Sequence, residues 1–271
     1  MAAATSGPLL NRVAIVIGAG SGGVGWGNGK ACAISFARAG AKVVAVDVNL
    51  AAAEETIALI RAENGTAEAV RADVGRSKDL EDVVEATLSR YGRIDILHYN
   101  VGIAVVGGCV ELSEEDWNRA LRVNVTGCFL ACKHVLPVME KQGSGVILTT
   151  GSIAASRWTG VDYISYYATK AALVQFTRAV AMRYASKGLR AVSLLPGLMN
   201  TPMIYGSGLR DSYAEGDVEK MLAKRDAQCP TGKMGDAWDV ANAAVFLASD
   251  AAKYITATEL VIDGGITAKF I

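Results

Sequence analysis

Tyr166 and Lys170 stand four residues apart in a stretch of helical composition, so their side chains share one helix face. A phenol with a pKa of about 10 is a poor proton donor and acceptor at neutral pH, and an ammonium beside it stabilises the phenolate and draws that pKa down. Ser152 follows the apolar run Val146–Thr150 by two residues. A hydroxyl at that point can donate to a substrate oxygen as it gains negative charge. Each feature alone reads more simply, as a surface pair or a turn former. Together they make a proton-transfer site for a carbon–oxygen centre.

A second set suits a phosphate-bearing ligand. The β-branched run Val13–Ile17 stops at Gly18-Ala-Gly-Ser-Gly-Gly-Val-Gly-Trp-Gly-Asn-Gly29, and Lys30–Ala39 is helical in composition. Strand, glycine loop and helix N-terminus form an anion cradle, in which the backbone approaches a pyrophosphate and the helix offers free N–H groups. Gly18, Ser21, Gly27 and Asn28 are its candidate contacts. Two registers compete for the last turn, Gly23-Val24-Gly25 and Gly27-Asn28-Gly29; the second is favoured because the helix follows it directly. Asp47 ends the second strand, where a carboxylate accepts from the adenosine ribose hydroxyls and repels a 2′-phosphate, favouring NAD over NADP. A solvated cap for the next helix is its blander reading. Asp73 and Asn100, just after the third and fourth strands, should face the adenine side of the same crevice.

These residues need a scaffold that gathers strand ends. Further strands are read at Val43–Val46, Ala67–Arg71, Ile94–His98, Val146–Thr150, Arg190–Leu195 and Glu259–Ile262. Helices are read at Leu50–Glu63, from Ser77, from the N-terminal signature Ser113-Glu-Glu-Asp116 to about Pro137 or just past it, and at Ser165–Ser186 and Ala237–Ser249. Strands that are continuous apolar runs are covered by helices on both faces. The fold expected is α/β: a single-domain, Rossmann-like, doubly wound parallel sheet of about seven strands over residues 1–271. The polar stretch 203–232 reads as an insertion with one short helix, within a substrate loop at about 197–232.

Composition narrows the partners. With 51% hydrophobic and 20% charged residues over 271 positions, the chain is neither disordered nor fibrous. Its 27 basic and 27 acidic residues cancel, which argues against nucleic acid or an anionic membrane. Five cysteines without a CxxC pair fit a reducing cytoplasm, and no apolar run approaches the ~18 residues that cross a bilayer. Met1–Gly7 lacks the basic start and apolar core of a secretion signal. His98 and His134 are the only histidines, too few for a zinc ligand set, so no metal is expected; Cys128 and Cys132 read as small helix-packing residues.

Several spaced motifs in one order give a resemblance. The Gly18–Gly29 loop, Asp47, Asp73-Val74, Tyr99-Asn-Val-Gly102, Asn124 in Val123-Asn-Val-Thr-Gly127, Ser152, Tyr166-Tyr-Ala-Thr-Lys170, Pro196-Gly197 with Thr201-Pro-Met203, and Asp263-Gly-Gly265 resemble the short-chain dehydrogenase/reductase family over almost the whole chain. The resemblance implies that Tyr166 is the acid–base, that Lys170 binds the nicotinamide ribose and tunes Tyr166, that Ser152 orients the carbonyl, and that Asn124 holds a water of the proton relay. It places Val74, Asn100 and Gly102 in the dinucleotide cleft, sets Pro196, Gly197, Met199 and Thr201 beside the nicotinamide carboxamide, and implies a homotetramer. Three features depart from the pattern. The glycine loop carries an insertion of about five residues relative to the usual fingerprint; Tyr99 replaces an asparagine, with consequences expected beside the adenine ribose; and the Ser152–Tyr166 segment is one residue longer.

The expected reaction is interconversion of a secondary alcohol and a ketone with NAD. Tyr163, seven residues before Lys170, keeps open a divergent enoyl-thioester reductase with Tyr-x6-Lys spacing, and the fold could also serve a catalytically silent dinucleotide-binding protein. The substrate pocket should form from the segments after Gly102, Ser152 and Gly197, with Trp158, Tyr163 and Tyr205 joining Ser152 and Tyr166 as contacts. An apolar or ring-shaped substrate body is expected.

Overall fold

The computed structural model describes residues 7–206 and 217–269. The glycine-containing middle of the expected substrate loop, 207–216, and nearly all of the N-terminal segment read above lie outside the described residues. Seven parallel strands, β1 (Val13–Ile17), β2 (Lys42–Asp47), β3 (Ala67–Arg71), β4 (Ile96–Tyr99), β5 (Gly145–Thr150), β6 (Leu189–Pro196) and β7 (Thr258–Ile262), pair in the order β3-β2-β1-β4-β5-β6-β7. The order reverses between β1 and β4, so their carboxyl ends open a crevice at the switch point.

Strand periodicity divides the core. Ala14, Val16, Val43 and Ala45 point to one face, against α1 (Asn28–Arg38), α2 (Leu50–Ala62) and the late helix Ala237–Ala248. Ile15, Ile17, Val44, Leu97 and Tyr99 point to the other, against α3 (Ser77–Tyr91), α5 (Gly127–Gln142) and α6 (Ile164–Tyr184). Helix starts are fixed by local side chains: Asn49 Oδ1 caps α2, Ser113 Oγ caps α4 (Glu114–Leu121), and Asp236 with Asp239 forms a capping box on the late helix.

The long helix opened by Ser113 runs past the expected stop. Pro137 sits inside α5, which continues to Gln142 because Val135, Leu136 and Met139 bury against the sheet and outweigh the lost N–H. Between α4 and α5 the helix widens into a π-turn over Arg122–Thr126. Strand β4 starts two residues later than expected; Asp95, just before it, keeps its backbone bonded to Val13 O and Val146 N while its carboxylate accepts from Val13 N at 2.8 Å and pairs with Arg93. Among its described residues the polar stretch after Pro202 shows α7 (Met203–Gly206) and α8 (Val218–Gln228), where one short helix is expected; Asp217 caps the second, whose buried Met221 and Arg225 lie beneath a charged surface. Among the described residues no helix is long and apolar enough to cross a membrane.

Candidate active site

The carboxyl end of β5 builds the reacting end. Lys170, on α6, is buried, and its Nζ donates to the backbone carbonyl of Thr150 at 2.7 Å. Burial pulls the ammonium down from 10.5 to about 8. That Nζ lies 5.4 Å from the centroid of the Tyr166 ring, one helical turn away. Gly102 makes the approach possible, since a Cβ there would sit 2.9 Å from the Lys170 nitrogen. The Ser152 hydroxyl, itself an acceptor for Ala154 N at 3.1 Å, hydrogen-bonds the Tyr166 phenol.

Burial pushes the Tyr166 phenol above its usual 10, and the Ser152 bond only partly opposes this. The lowering expected from Lys170 together with the positive ring of an oxidised dinucleotide belongs to the loaded cleft; in the chain alone the buried ammonium donates to a carbonyl and burial of the phenol prevails. Asn124 is fully buried within the π-turn. Its Oδ1 accepts from Ile103 N at 2.8 Å, and its Nδ2 donates to Ile103 O and to Thr169 Oγ1, both at 2.9 Å. It thereby ties the segment after Gly102 to the helix face that carries Tyr166 and Lys170.

The glycine loop is built for a close visitor. Gly27 caps α1 without a side chain, the first turn carries no acidic residue, and the helix starts at Asn28 in the favoured register. Its open N–H groups and partial positive charge thus face the cleft. Gly29 packs so closely on the end of β1 that a Cβ would fall on the Gly18 carbonyl; Asn100 Nδ2 donates to that same carbonyl at 3.2 Å, and Asn100 Oδ1 accepts from Thr150 Oγ1 at 3.0 Å. Asp47 accepts from Gly20 N at 2.9 Å and from Asn49 N at 3.0 Å, which fixes its carboxylate at the rim. Asp73 accepts from Gly75 N at 2.8 Å. Among the described residues Ser21 Oγ and Asn28 Oδ1 are buried in this cradle with no partner, and buried polar atoms of that kind want one. The open helix end, the backbone N–H groups of the glycine loop and the unpartnered Ser21 hydroxyl, which can donate, fit a dinucleotide diphosphate.

Both ends share one cavity of about 660 Å³. Gly18, Ser21, Gly27, Asn28 and Asp47 line it at one end, Ser152, Tyr163, Tyr166 and Lys170 at the other. Asp73, Val74, Asn100 and Gly102 line it between them, with Pro196, Gly197, Met199 and Thr201 along the β6 side. Three residues lie away from this cavity wall. Trp158 is 65% exposed and stacks outward on Tyr167. Tyr205 is 38% exposed, bonded to Asn200 rather than lining the cavity, whose wall there is Met203 and Ile204. Tyr99 does not lie beside the ribose site, because strand alternation turns it to the opposite face of β4 from Asn100. Thr159, Ile153 and Arg225 also line the cavity. Arg225 was the findable one, four residues after Met221 on one helix face.

This geometry has close relatives. A structure from Burkholderia xenovorans, assigned to the short-chain dehydrogenases/reductases, superposes with a TM-score of 0.93 at 46% identity, over 98% of this chain and 100% of that one. A family profile described as enoyl-(acyl carrier protein) reductase matches residues 23–267. The chain belongs to the short-chain dehydrogenase/reductase family. As a member it is an oxidoreductase of the kind that uses a nicotinamide dinucleotide. The 2,5-dichloro-2,5-cyclohexadiene-1,4-diol dehydrogenase of Sphingobium indicum is 38% identical over 95% of this chain and 96% of its own length. The cyclohexanol dehydrogenase of an Acinetobacter species is 34% identical, covering 96% of each.

Proposed function

We propose that this short-chain dehydrogenase/reductase interconverts a ring-bearing secondary alcohol and its ketone with NAD(H), with Tyr166 as the acid–base. The observation that carries the reading is the meeting of Tyr166, Ser152 and Lys170 on the wall of a cavity that also reaches the glycine loop and Asp47. When bound, NAD supplies the hydride acceptor, and its reduced form the donor. Ser152 Oγ donates to the substrate oxygen and holds it against the Tyr166 hydroxyl. In oxidation Tyr166 Oη takes the alcohol proton; in reduction it returns one. Lys170, anchored by Thr150 O, stabilises the phenolate, and the positive ring of the oxidised dinucleotide adds the second charge that the buried phenol requires. Asn124 orders the proton path behind Lys170.

Asp47 supports NAD over NADP, since its fixed carboxylate occupies the ground a 2′-phosphate would need. Apolar walls from Ile103, Ile153, Met199 and Ile204, and the alicyclic alcohols named for two relatives, support a ring-shaped substrate. Apolar residues left exposed on α5 (Phe129), α6 (Met182) and β7 (Val261) support the homotetramer that belongs to the same reading, as does a cytoplasmic site of action.

The family profile's description favours the enoyl reading, with Tyr163 as the acid. The hydroxyl geometry opposes it. Tyr167 Oη donates to Val161 O at 3.0 Å, so Thr159 Oγ1 must donate to Tyr167, and Tyr163 must then donate to Thr159. The Tyr163 proton is committed away from the reacting oxygen. Incubation with NAD and a panel of cyclic and acyclic secondary alcohols, followed by NADH absorbance, tests the reading. Turnover of cyclic alcohols that is lost in Tyr166→Phe and kept in Tyr163→Phe is expected. Retained turnover in Tyr166→Phe, or dinucleotide binding without turnover across the panel, overturns it.

A further inference from the structure

Tyr99 stands where the family pattern has an asparagine, and the proposed chemistry makes no use of it. Its ring is fully buried between β4 and the α3/α5 layer, and its hydroxyl donates to the backbone carbonyl of Val123. Val123 precedes Asn124 inside the π-turn Arg122–Thr126. A π-turn departs from the regular i→i+4 ladder and persists where surrounding contacts hold it. Here a side chain on the central sheet supplies such a contact. The fit is reciprocal: Gly127, the first residue of α5, leaves the space the phenol fills, and a Cβ there would fall on the Tyr99 hydroxyl and crowd Val74. Burial pushes the Tyr99 phenol well above its usual range, so it stays a donor at any working pH.

The π-turn sets the direction of Asn124. From it the amide reaches both backbone groups of Ile103 and the hydroxyl of Thr169, which in turn donates to Tyr166 O at 3.1 Å. We infer that Tyr99 is a positioning residue: its hydrogen bond to Val123 O fixes the π-turn and keeps Asn124 aimed at the helix face that bears Tyr166 and Lys170. The inference rests on the proposed role of Asn124 in the proton path, and it deepens that role by naming what holds the residue in place.

The test is Tyr99→Phe, which keeps the buried ring and removes only the donor. One lost hydrogen bond to a carbonyl corresponds to about a tenfold fall in kcat if all of it is felt in the transition state. The expected result is that fall, with KM for NAD within about twofold of wild type and a larger solvent deuterium isotope effect on kcat. Rates are taken per folded enzyme, counted by NADH binding. Adding the change to Asn124→Ala should slow that variant no further, because the two residues act in series. A wild-type kcat and isotope effect in Tyr99→Phe, with or without a drop in its urea midpoint, would overturn the inference, as would losses that multiply in the double variant. Tyr166→Phe, assayed in parallel, separates the two claims: if it still turns over, the reaction assignment fails; if it is dead and Tyr99→Phe is normal, only the positioning role fails.

Discussion

Replacing Lys170 by methionine should make the dinucleotide-free protein more stable while ending turnover. The lysine is 2% exposed, and burial holds its ammonium at about 8, against 10.5 for the ordinary side chain. A base whose folded pKa lies below its unfolded one binds fewer protons folded than unfolded. Its burial therefore costs stability below the folded value, and that cost fades as pH climbs from about 8 toward 10.5. At pH 7 the charged lysine costs the folded chain about 3 kcal/mol, falling to about half of that at pH 9.5. Methionine keeps the apolar stem but leaves Thr150 O without its donor, a loss of about 1 to 2 kcal/mol at either pH. The variant should accordingly be more stable than wild type by about 1 to 2 kcal/mol at pH 7 and roughly equal to it at pH 9.5. Urea unfolding of both proteins at the two pH values, followed by far-UV circular dichroism, measures the difference and cancels the other titrating groups. A variant less stable than wild type at pH 7, or a gap that does not change with pH, would refute the account of Lys170 as a charge kept buried at a cost to stability.

Asp47→Ala should lower the ratio of kcat/KM for NAD to that for NADP by about 10- to 100-fold, because it removes charge-assisted bonds and the repulsion of a 2′-phosphate; an unchanged ratio refutes the ribose assignment. Trp158→Ala should leave kcat/KM for a cyclic alcohol within about threefold, since an outward-facing ring buries little against a ligand. A loss beyond about thirtyfold, measured by steady-state kinetics, would return Trp158 to the substrate wall.

The sheet was legible because its strands are short, β-branched and bounded by glycine or aspartate, and β1 and β5 begin and end close to where those signals put them. The reacting groups were legible for a related reason: Tyr166 and Lys170 sit on a regular helix, where spacing dictates direction. Strand alternation also held the information that Tyr99 and Asn100 must face opposite ways, and it was outweighed by the motif that joins them. Trp158 lies in an irregular segment and Tyr205 in the four-residue helix α7, too short to show a period, so neither has a direction that spacing could report. The π-turn around Asn124 was invisible because it depends on Tyr99, a partner 24 positions away that no local propensity reports. Helix α8 was hidden by its charge, since few of its residues, chiefly Met221, Leu222 and Arg225, turn inward.

Lys170 is moored to the last carbonyl of β5, a central strand, whereas the walls around Met203 and Ile204 belong to short segments beyond Thr201. Two engineering compartments follow. The segment after Thr201 can be rewritten to admit a bulkier or more polar ring without loosening the mooring, so new substrates should be reachable by exchanging that stretch alone. Changes at Lys170 or Gly102, by contrast, would disarm the enzyme for every substrate at once.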